Sequence, residues 1–234
     1  MNKKKLEEIS NFYEPKNDYD YINTMLAFKI FQKQLHGKSV LEIGCADGAM
    51  TELLVQEAFI LAVVEPSTNY CNIIKNIKGV RNIYNGFLED IQNPLQYDIV
   101  LCASLIHHIE EPNQFLNSIK KFLKPSGVVL ATVPHVKSLH RRIGVKMGLL
   151  SSEYGDSERN VRFAQFGRYD MEKFQKLFEH NRYSILESYG YMIKPFSSDI
   201  MEKIGLNEKQ VQAMFEIGKE FQEISSQLYI KATI

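Results

Sequence analysis

The sequence predicts an α/β fold with a seven-stranded, mostly parallel sheet and helices on both faces. Short apolar runs and segments with helical spacing alternate from about residue 38 to the C-terminus, the order expected of strands joined by crossover helices. The first apolar run also leads into a glycine-bounded turn and then into a helical pattern. With 234 residues and 44% hydrophobic content, the chain is long enough for one well-packed core and short for two.

Seven strands and three crossover helices follow from the periodicity and from the turn residues. The strands are predicted at Ser39 to Ile43, Phe59 to Glu65, Arg81 to Tyr84, Tyr97 to Ala103, Gly127 to Val133, Ser184 to Gly190 and Leu228 to Ile234. The crossover helices are predicted at Ala49 to Ala58, Ser67 to Ile77 and Pro112 to Leu123.

The chain divides into an N-terminal helical arm at 1–37 and a main domain at 38–234. Two segments of the domain, at about 135–165 and 192–227, do not fit a minimal alternation, and we expect them to form a substrate-binding wall. The arm is expected to close over a pocket as a lid. Its helix carries an aromatic and apolar stripe at helical spacing, formed by Tyr21, Met25, Phe28 and Phe31.

The composition excludes several classes of protein. Lysine plus arginine equal aspartate plus glutamate at 28 each, so no global charge draws the chain to nucleic acid or to an anionic membrane. No apolar run approaches a membrane span, and the start lacks the apolar region of a signal peptide. The three cysteines have no C-x-x-C spacing, which disfavours disulfides and metal sites. We therefore expect a cytoplasmic protein with a small-molecule substrate.

The most informative motif is the turn after the first strand. It reads Val40-Leu41-Glu42-Ile43-Gly44-Cys45-Ala46-Asp47-Gly48. Gly44 and Gly48 allow the backbone to turn tightly and to approach a ligand closely. A pyrophosphate site for a nicotinamide or flavin cofactor requires G-x-G-x-x-G, which this spacing does not provide.

At this motif the chain resembles the class I S-adenosylmethionine (SAM)-dependent methyltransferases, whose first motif has the form Glu-x-Gly-x-Gly-x-Gly. The resemblance implies a Rossmann-like fold, SAM as cofactor and S-adenosylhomocysteine as product. It also implies that Glu42 faces the amino group of SAM, and that Gly44, Cys45, Ala46 and Gly48 contact the cofactor. Ala46 replaces the middle glycine, and its methyl group is expected to displace the ligand slightly without preventing binding.

Further cofactor contacts are expected after the second and third strands. Glu65, followed by Pro66, ends the second strand about twenty positions after the first motif, where a carboxylate binds a ribose diol. The segment Gly86-Phe87-Leu88-Glu89-Asp90 resembles the family loop that contacts adenine, with Leu88 as an apolar face and Glu89 or Asp90 as an acceptor. Taken singly, Glu65 also fits a solvated strand end, and Asp90 a turn cap.

The fourth and fifth strands also follow the family pattern. The exit of the fourth strand contains Ser104, a predicted cofactor contact, and then His107 and His108 before an acidic-proline turn. Leu123-Lys124-Pro125-Ser126-Gly127 matches the family's Leu-Lys-Pro-Gly-Gly turn into the fifth strand, with Ser126 in place of the first glycine. The resemblance covers residues 38 to 134.

Four histidines are candidates for a general base: His108, His107, His135 and His140. Histidine titrates near neutrality, and the exit of the fourth strand faces the transferred methyl group in this fold. The alternative for the pair at the fourth strand is a structural role, because the family often carries a histidine there. Strong catalytic residues are few in any case, because the cofactor supplies the reactivity.

A basic cluster follows the fifth strand. Arg141 and Arg142 are predicted to bind an anionic substrate such as a phosphate or a carboxylate. In the alternative interpretation they lie on the wet face of a helix that begins near Ser138, with Ile143 and Met147 packed inward. Tyr13 and Tyr19 of the arm are further candidates for the site, because aromatic faces attract a sulfonium cation. Their alternative role is packing onto the sheet.

We therefore expect transfer of a methyl group to an oxygen or nitrogen of a small polar metabolite, such as a phosphorylated activated sugar or a capsule precursor of polysaccharide biosynthesis. Two alternatives stay open: a SAM-fold binding or regulatory protein without catalysis, and a nucleotide-cofactor oxidoreductase. The chain is expected to be a monomer or a homodimer. A test of NAD binding and turnover of SAM with an acceptor would separate these functions.

Overall fold

The central sheet of the computed structural model, which describes residues 3–234, contains seven strands. They are β1 (Ser39–Ile43), β2 (Ile60–Val64), β3 (Val80–Tyr84), β4 (Tyr97–Cys102), β5 (Leu123–Pro134), β6 (Ser184–Tyr191) and β7 (Gln227–Thr233). Their order is β3-β2-β1-β4-β5-β7-β6. The first five strands pair in parallel, and β7 runs antiparallel to both β5 and β6. The predicted Rossmann-like, mostly parallel sheet is confirmed.

Helices cover both faces of this sheet. Their bounds are α1 (Lys3–Ser10), α2 (Asp20–Leu35), α3 (Ala49–Leu54), α4 (Thr68–Ile74), α5 (Pro112–Ile119), α6 (Leu139–Lys146), α7 (Glu158–Arg162), α8 (Met171–His180), α9 (Ser198–Ile204) and α10 (Glu208–Glu220). Short 3-10 turns lie at Pro15–Asn17, Leu88–Asp90, Ile106–His108, Lys120–Phe122 and Gln222–Ile224. No helix in the described residues is long and apolar enough to cross a membrane.

The core forms two apolar layers, because successive residues of a strand face opposite sides of the sheet. Leu41 packs on one side with Phe115 of α5 and Phe174 of α8. Val40 packs on the other side with Phe31 of α2. Both layers continue along the neighbouring strands, so the sheet is buried on both faces. A sheet held in this way is a rigid support for the loops at its carboxyl edge.

Several predicted boundaries are wrong by a few residues. The helix predicted to reach Ala58 ends at Leu54, and the helix predicted to reach Leu123 ends at Ile119 before a 3-10 turn. The fifth strand begins at Leu123, four residues earlier than predicted, because Leu123 already pairs with Tyr97 across the β4–β5 register shift. Local periodicity does not reveal such pairing.

The face of α2 that packs against the sheet differs from the apolar stripe predicted for the arm helix. Phe31 is fully buried, whereas Tyr21 and Met25 are exposed. The side that packs carries Leu26, Ala27, Ile30, Phe31 and Leu35, which contact the sheet in the same apolar layer as α3. Thus α2 is a core helix, and only the chain before it is free to act as a cover.

Two glycines in helices provide a test of the packing between α10 and the end of β6. A Cβ on Gly218 would lie 2.1 Å from Met192 N and 2.6 Å from its Cα, whereas one on Gly144 would meet Leu150 Cδ1 at an ordinary 3.4 Å. Alanine favours a helix over glycine by about 1 kcal/mol. We therefore expect Gly144→Ala to raise the free energy of unfolding slightly, and Gly218→Ala to lower it by about 1–3 kcal/mol through overpacking.

Urea denaturation followed by circular dichroism measures both variants against the unsubstituted chain. Equal stabilisation by the two substitutions would contradict the close packing of α10 on Met192.

Candidate active site

A cavity of about 290 Å³ lies at the carboxyl edge of the sheet. The strand order reverses between β1 and β4, and open α/β sheets bind their ligands at such a point. Residues that follow β1, β2 and β4 form its floor. The arm and the segments 135–165 and 192–227 contribute the rest of the wall, including Tyr13, Asp20, Arg159, Lys194 and Gln227.

The turn after β1 is held by backbone conformations that favour glycine. Gly44 and Gly48 have φ angles of +74° and +81°, in the left-handed region that a side chain disfavours. A Cβ on Gly44 would lie 2.9 Å from Leu105 Cδ1, and one on Gly48 would lie 2.7 Å from Ile77 Cδ1. Ala46 also has a positive φ, of 47°, so glycine at this position, as in the family motif, would relieve strain. Gly44, Cys45 and Ala46 line the cavity, and Gly48 supports the turn from behind.

Two carboxylates lie buried at this end of the cavity. Glu42 is 1% exposed, and Thr51 Oγ1 donates to its Oε2 at 2.7 Å. Glu65 is 3% exposed and accepts from Ser67 N at 2.8 Å and from Cys45 N at 3.2 Å. Burial raises the pKa of Glu42 to about 8 and that of Glu65 to about 7. Neither forms an ion pair within the described part of the chain, so both favour a positively charged or hydrogen-bond-donating ligand.

The arm closes the cavity beside these carboxylates. Leu6 and Ile9 of α1 line it, and the Glu7 carboxylate accepts from Ser67 Oγ at 2.7 Å and from Thr68 N at 2.6 Å. The same carboxylate accepts from Asn69 N at 3.4 Å. Thus α1 is attached to the start of α4, next to the strand end that holds Glu65.

Five predicted cofactor residues do not line the cavity: Gly48, Pro66, Leu88, Glu89 and Asp90. Pro66 O accepts from Asn85 Nδ2 at 3.2 Å, and Leu88 is buried in the apolar layer with Phe115. Glu89 and Asp90 are exposed on a 3-10 turn. The contact of Leu88, Glu89 and Asp90 with adenine therefore stays a prediction, as does the contact of Gly48 and Pro66 with the cofactor. Ser104, in contrast, lines the cavity and donates its backbone N–H to Thr132 Oγ1 at 3.0 Å.

Three of the four candidate histidines line the cavity: His107, His108 and His140. Phe163 O lies 3.0 Å from His108 Nδ1. A carbonyl only accepts, so Nδ1 carries the proton and Nε2 of the neutral ring is an acceptor. Burial lowers the pKa of His108 to about 4 and holds the pKa of His107 and of His140 well below the usual value. All three are neutral near pH 7.

His135 does not line this cavity. It is 3% exposed, and its Nδ1 contacts Ser225 O at 2.9 Å. Burial lowers its pKa to about 4. The position therefore fits a structural link between the end of β5 and the chain that leads into β7, and the structure does not bring His135 to the reacting groups.

The predicted anion-binding pair at the start of α6 also lies away from the cavity. Arg141 is 8% exposed and donates from Nε to Glu153 O at 2.8 Å and from Nη2 to Gly155 O. Arg142 pairs with the Glu153 carboxylate at 3.4 Å. These guanidinium groups hold the segment after α6 instead of facing a substrate. The predicted inward packing of Met147 is wrong, because this side chain is 65% exposed while Arg141 takes the buried position.

The arm is also attached to the segment around α7. Arg159 Nη2 pairs with the carboxylates of Asp20 and Asp18, and Tyr13 Oη donates to Asp20 Oδ2 at 2.7 Å. The Tyr13 ring lines the cavity. Tyr19 is 2% exposed and does not line it, so of the two predicted aromatic contacts only Tyr13 faces the cavity.

Lys194 and Arg159 both line the cavity but were not predicted as site residues. Lys194 is only 7% exposed, and its Nζ lies 3.1 Å from Ser198 Oγ and 5.3 Å from the centre of the Tyr19 ring. A signal was present, because this lysine interrupts an apolar run at the end of a strand and precedes a proline. The ion pairs of Arg159 depend on the arm and have no signal in the local sequence.

Comparison with known proteins decides the family. A model described as a methyltransferase domain matches residues 15–205. The chain belongs to this family. The resemblance of the motifs to class I SAM-dependent methyltransferases is thereby confirmed, and SAM is the cofactor that the family uses. Membership disfavours the oxidoreductase alternative.

The relatives and solved structures of this methyltransferase domain agree on the fold. This chain is 28% identical over 146 residues to the mitochondrial ubiquinone biosynthesis O-methyltransferase of Schizosaccharomyces pombe. The match covers 59% of this chain and 50% of that protein. The chain is 25% identical to the ubiquinone biosynthesis O-methyltransferase of Haemophilus ducreyi, covering 74% and 76%. A SAM-dependent methyltransferase of Thermotoga maritima has a TM-score of 0.65 at 15% identity, covering 96% and 97%. The chain spans about half the length of several curated relatives that it matches.

The residues at the floor of the cavity fit SAM. Glu65 accepts from two backbone N–H groups and from the Cys45 thiol. A carboxylate has about four acceptor sites, so one remains for a ribose hydroxyl. Glu42 offers a buried carboxylate to an ammonium group. The tight turn at Gly44 leaves the backbone open to the ligand. Glu42, Gly44, Cys45, Ala46, Glu65 and Ser104 are therefore the residues that would hold the cofactor.

Substitution of Glu65 tests this assignment. Glu65→Gln removes the charge and one of the two equivalent acceptor atoms, and we expect the Kd for SAM to rise at least tenfold, since hydrogen bonds to a charged group contribute about 1.5–3 kcal/mol. Glu179→Gln is the matched control, because Glu179 is exposed on α8 and outside the cavity, and it should leave the Kd unchanged. Calorimetric titration of SAM measures both; equal losses would place the binding carboxylate elsewhere.

The affinity for SAM is expected to fall as the pH is lowered from about 8 to about 6. With the pKa of Glu65 at about 7 and that of Glu42 at about 8, both carboxylates become neutral within this range, and a cationic ligand favours their ionised forms. The sign is opposite for the free protein. In the ligand-free protein, the contribution of these two carboxyl groups to the free energy of unfolding is fully present below about pH 4.5. It is lost as the pH rises through 7 to 8, because the folded protein holds their protons more tightly than the unfolded chain does.

Titration of SAM in two buffers with different ionisation enthalpies measures the protons released on binding. An affinity that does not change over this range would mean that neither carboxylate contacts the ligand.

Proposed function

We propose that the protein transfers a methyl group from SAM to an oxygen atom of a small-molecule acceptor. The observation that carries this proposal is that one cavity has carboxylates suited to the cofactor and, on the rest of its wall, basic side chains suited to an acceptor. Glu42 and Glu65 lie at the end next to the first strand turn, and His108, His140 and Lys194 lie on the remaining wall. An acceptor at the second end would meet the cofactor at the exit of β4, near Ser104.

Oxygen is favoured as the acceptor atom because the curated relatives reported above are named O-methyltransferases of ubiquinone biosynthesis. Their names give no support to the activated sugar or capsule precursor expected from the basic cluster. The position of Arg141 and Arg142, outside the cavity, removes the reason for that expectation. We therefore propose a hydroxylated acceptor.

The cofactor supplies an electrophilic methyl group when bound, and the chain has to align the acceptor with it and exclude water. His108 Nε2 is the acceptor atom of a neutral ring on the cavity wall, and it can accept the hydrogen bond of the attacking hydroxyl. Its low pKa makes it a weak base before the reaction. The hydroxyl becomes strongly acidic as its oxygen bonds to the methyl group, so Nε2 can orient the hydroxyl and take up the proton that it releases.

The arm provides the cover. The described chain before α2 is attached to α4 through Glu7, and the start of α2 is attached to Arg159 through Asp20. The segments 135–165 and 192–227 contribute other residues of the cavity wall. Exclusion of water by this cover strengthens the electrostatic interactions inside the cavity.

Turnover with a panel of hydroxylated and aminated compounds tests the proposal, with formation of S-adenosylhomocysteine as the readout. Hydroxylated acceptors are expected to be methylated, and His108→Gln to lower kcat about 100-fold. His180→Gln, at an exposed position on α8, is the matched control and should have no effect. Methylation of amines alone would overturn the choice of oxygen. Binding of SAM without turnover of any compound would favour a non-catalytic binding protein.

A further inference from the structure

Lys194 is a buried cation that the proposed cofactor site does not use. It follows β6, where Met192 has a positive φ of 64° and Ile193 N donates to Met214 O at 2.8 Å. The backbone is thereby fixed, and the side chain is 7% exposed on the cavity wall. Its Nζ donates to Ser198 Oγ at 3.1 Å, and it forms no ion pair with a carboxylate of residues 3–234. A buried ammonium without a counter-ion is costly, so its presence calls for a ligand.

The acidic groups near Lys194 are held by other partners or lie outside the cavity. Asp18 and Asp20 both pair with Arg159, and Asp20 also accepts from Tyr13 Oη. Asp199, on α9, is exposed and does not line the cavity. Burial lowers the pKa of Lys194 to about 8, so the amine is still mostly charged near pH 7.

Polar atoms without a partner surround the same part of the cavity. His140 Nδ1, Ser226 Oγ and Gln227 Oε1 are buried and have no hydrogen bond within the described residues, and all three residues line the cavity. Buried polar groups are rarely left without a partner unless a ligand or water supplies it. These atoms are therefore candidates for contact with the acceptor.

The backbone brings this set together. Ser226 N donates to Met192 O at 2.7 Å, two residues before Lys194. Gln227 pairs with Tyr191 at the end of β6. His140 lies in the first turn of α6, and the positive charge of Lys194 contributes to lowering its pKa. The same cavity is thus lined by three groups that can donate, the amine, a hydroxyl and a neutral imidazole, and by one amide side chain.

We propose that Lys194, His140 and Ser226 form a subsite that binds an anionic oxygen group of the methyl acceptor, a carboxylate or a phosphate. This inference rests on the proposed function, because it concerns the acceptor end of that cavity. The ammonium supplies the charge, and the hydroxyl and the imidazole supply directional hydrogen bonds. The proposal keeps the anionic substrate expected from the sequence but places its main charged contact at the end of β6 instead of at Arg141 and Arg142.

The subsite is tested with simple probes on the full chain saturated with S-adenosylhomocysteine. Benzoate and phenyl phosphate represent the two anion sources, and benzamide is their neutral counterpart. Calorimetric titration is expected to detect at least one of the two anions and no binding of benzamide. Lys194→Met, which keeps the approximate length of the side chain, should raise the Kd for the anion at least tenfold. Lys203→Met, at an exposed position on α9, should leave it unchanged.

Two further measurements separate the possible failures. Thermal melting and the affinity for S-adenosylhomocysteine report whether Lys194→Met is folded with an intact cofactor site, and Ser226→Ala is a second variant expected to weaken the anion without altering charge. If the wild-type chain does not bind S-adenosylhomocysteine, the proposed function fails. If it binds this product but binds neither anion, or if Lys194→Met binds the anion as well as the wild type, the anionic subsite is overturned.

Discussion

The carboxylates of Glu42 and Glu65 lie buried side by side at the carboxyl edge of the sheet, and the described chain offers no cation to pair with them. Two like charges in such a place are tolerated only because backbone amides, a threonine hydroxyl and partial protonation reduce the cost. The tight turn between Gly44 and Gly48 and the backbone bonds of Cys45 and Ser67 to Glu65 all serve this arrangement. A donor-rich or cationic ligand completes it.

The opposite end of the cavity has the reverse electrostatic character. Lys194 is a buried cation, and the histidines are neutral because burial opposes their protonation. The cavity therefore has buried acid groups next to β1 and β2 and a buried cation next to β6. Fixed charges of this kind would orient two ligands of opposite charge before a reaction and so reduce the reorganisation needed for an in-line transfer.

Most of the fold and the floor of the cavity were predictable from the sequence, because they depend on local patterns. Glu65 ends a strand, and Gly44 lies in a turn whose backbone requires glycine. The rest depends on contacts between distant segments. Lys194 faces the cavity only because Met192 packs against α10, and Arg141 is buried only because the segment after α6 folds back over it. Leu88 matched the family loop but turned into the core, since apolar burial outweighs motif position for that side chain.

The contact of Glu7 with the start of α4 has a consequence for the timing of the catalytic cycle. This carboxylate binds the backbone N–H groups of Thr68 and Asn69 and the hydroxyl of Ser67, so it caps a helix as well as closing the arm. A product that left the cavity past α1 would have to break this cap, and its dwell time would then depend on the stability of the contact between α1 and α4.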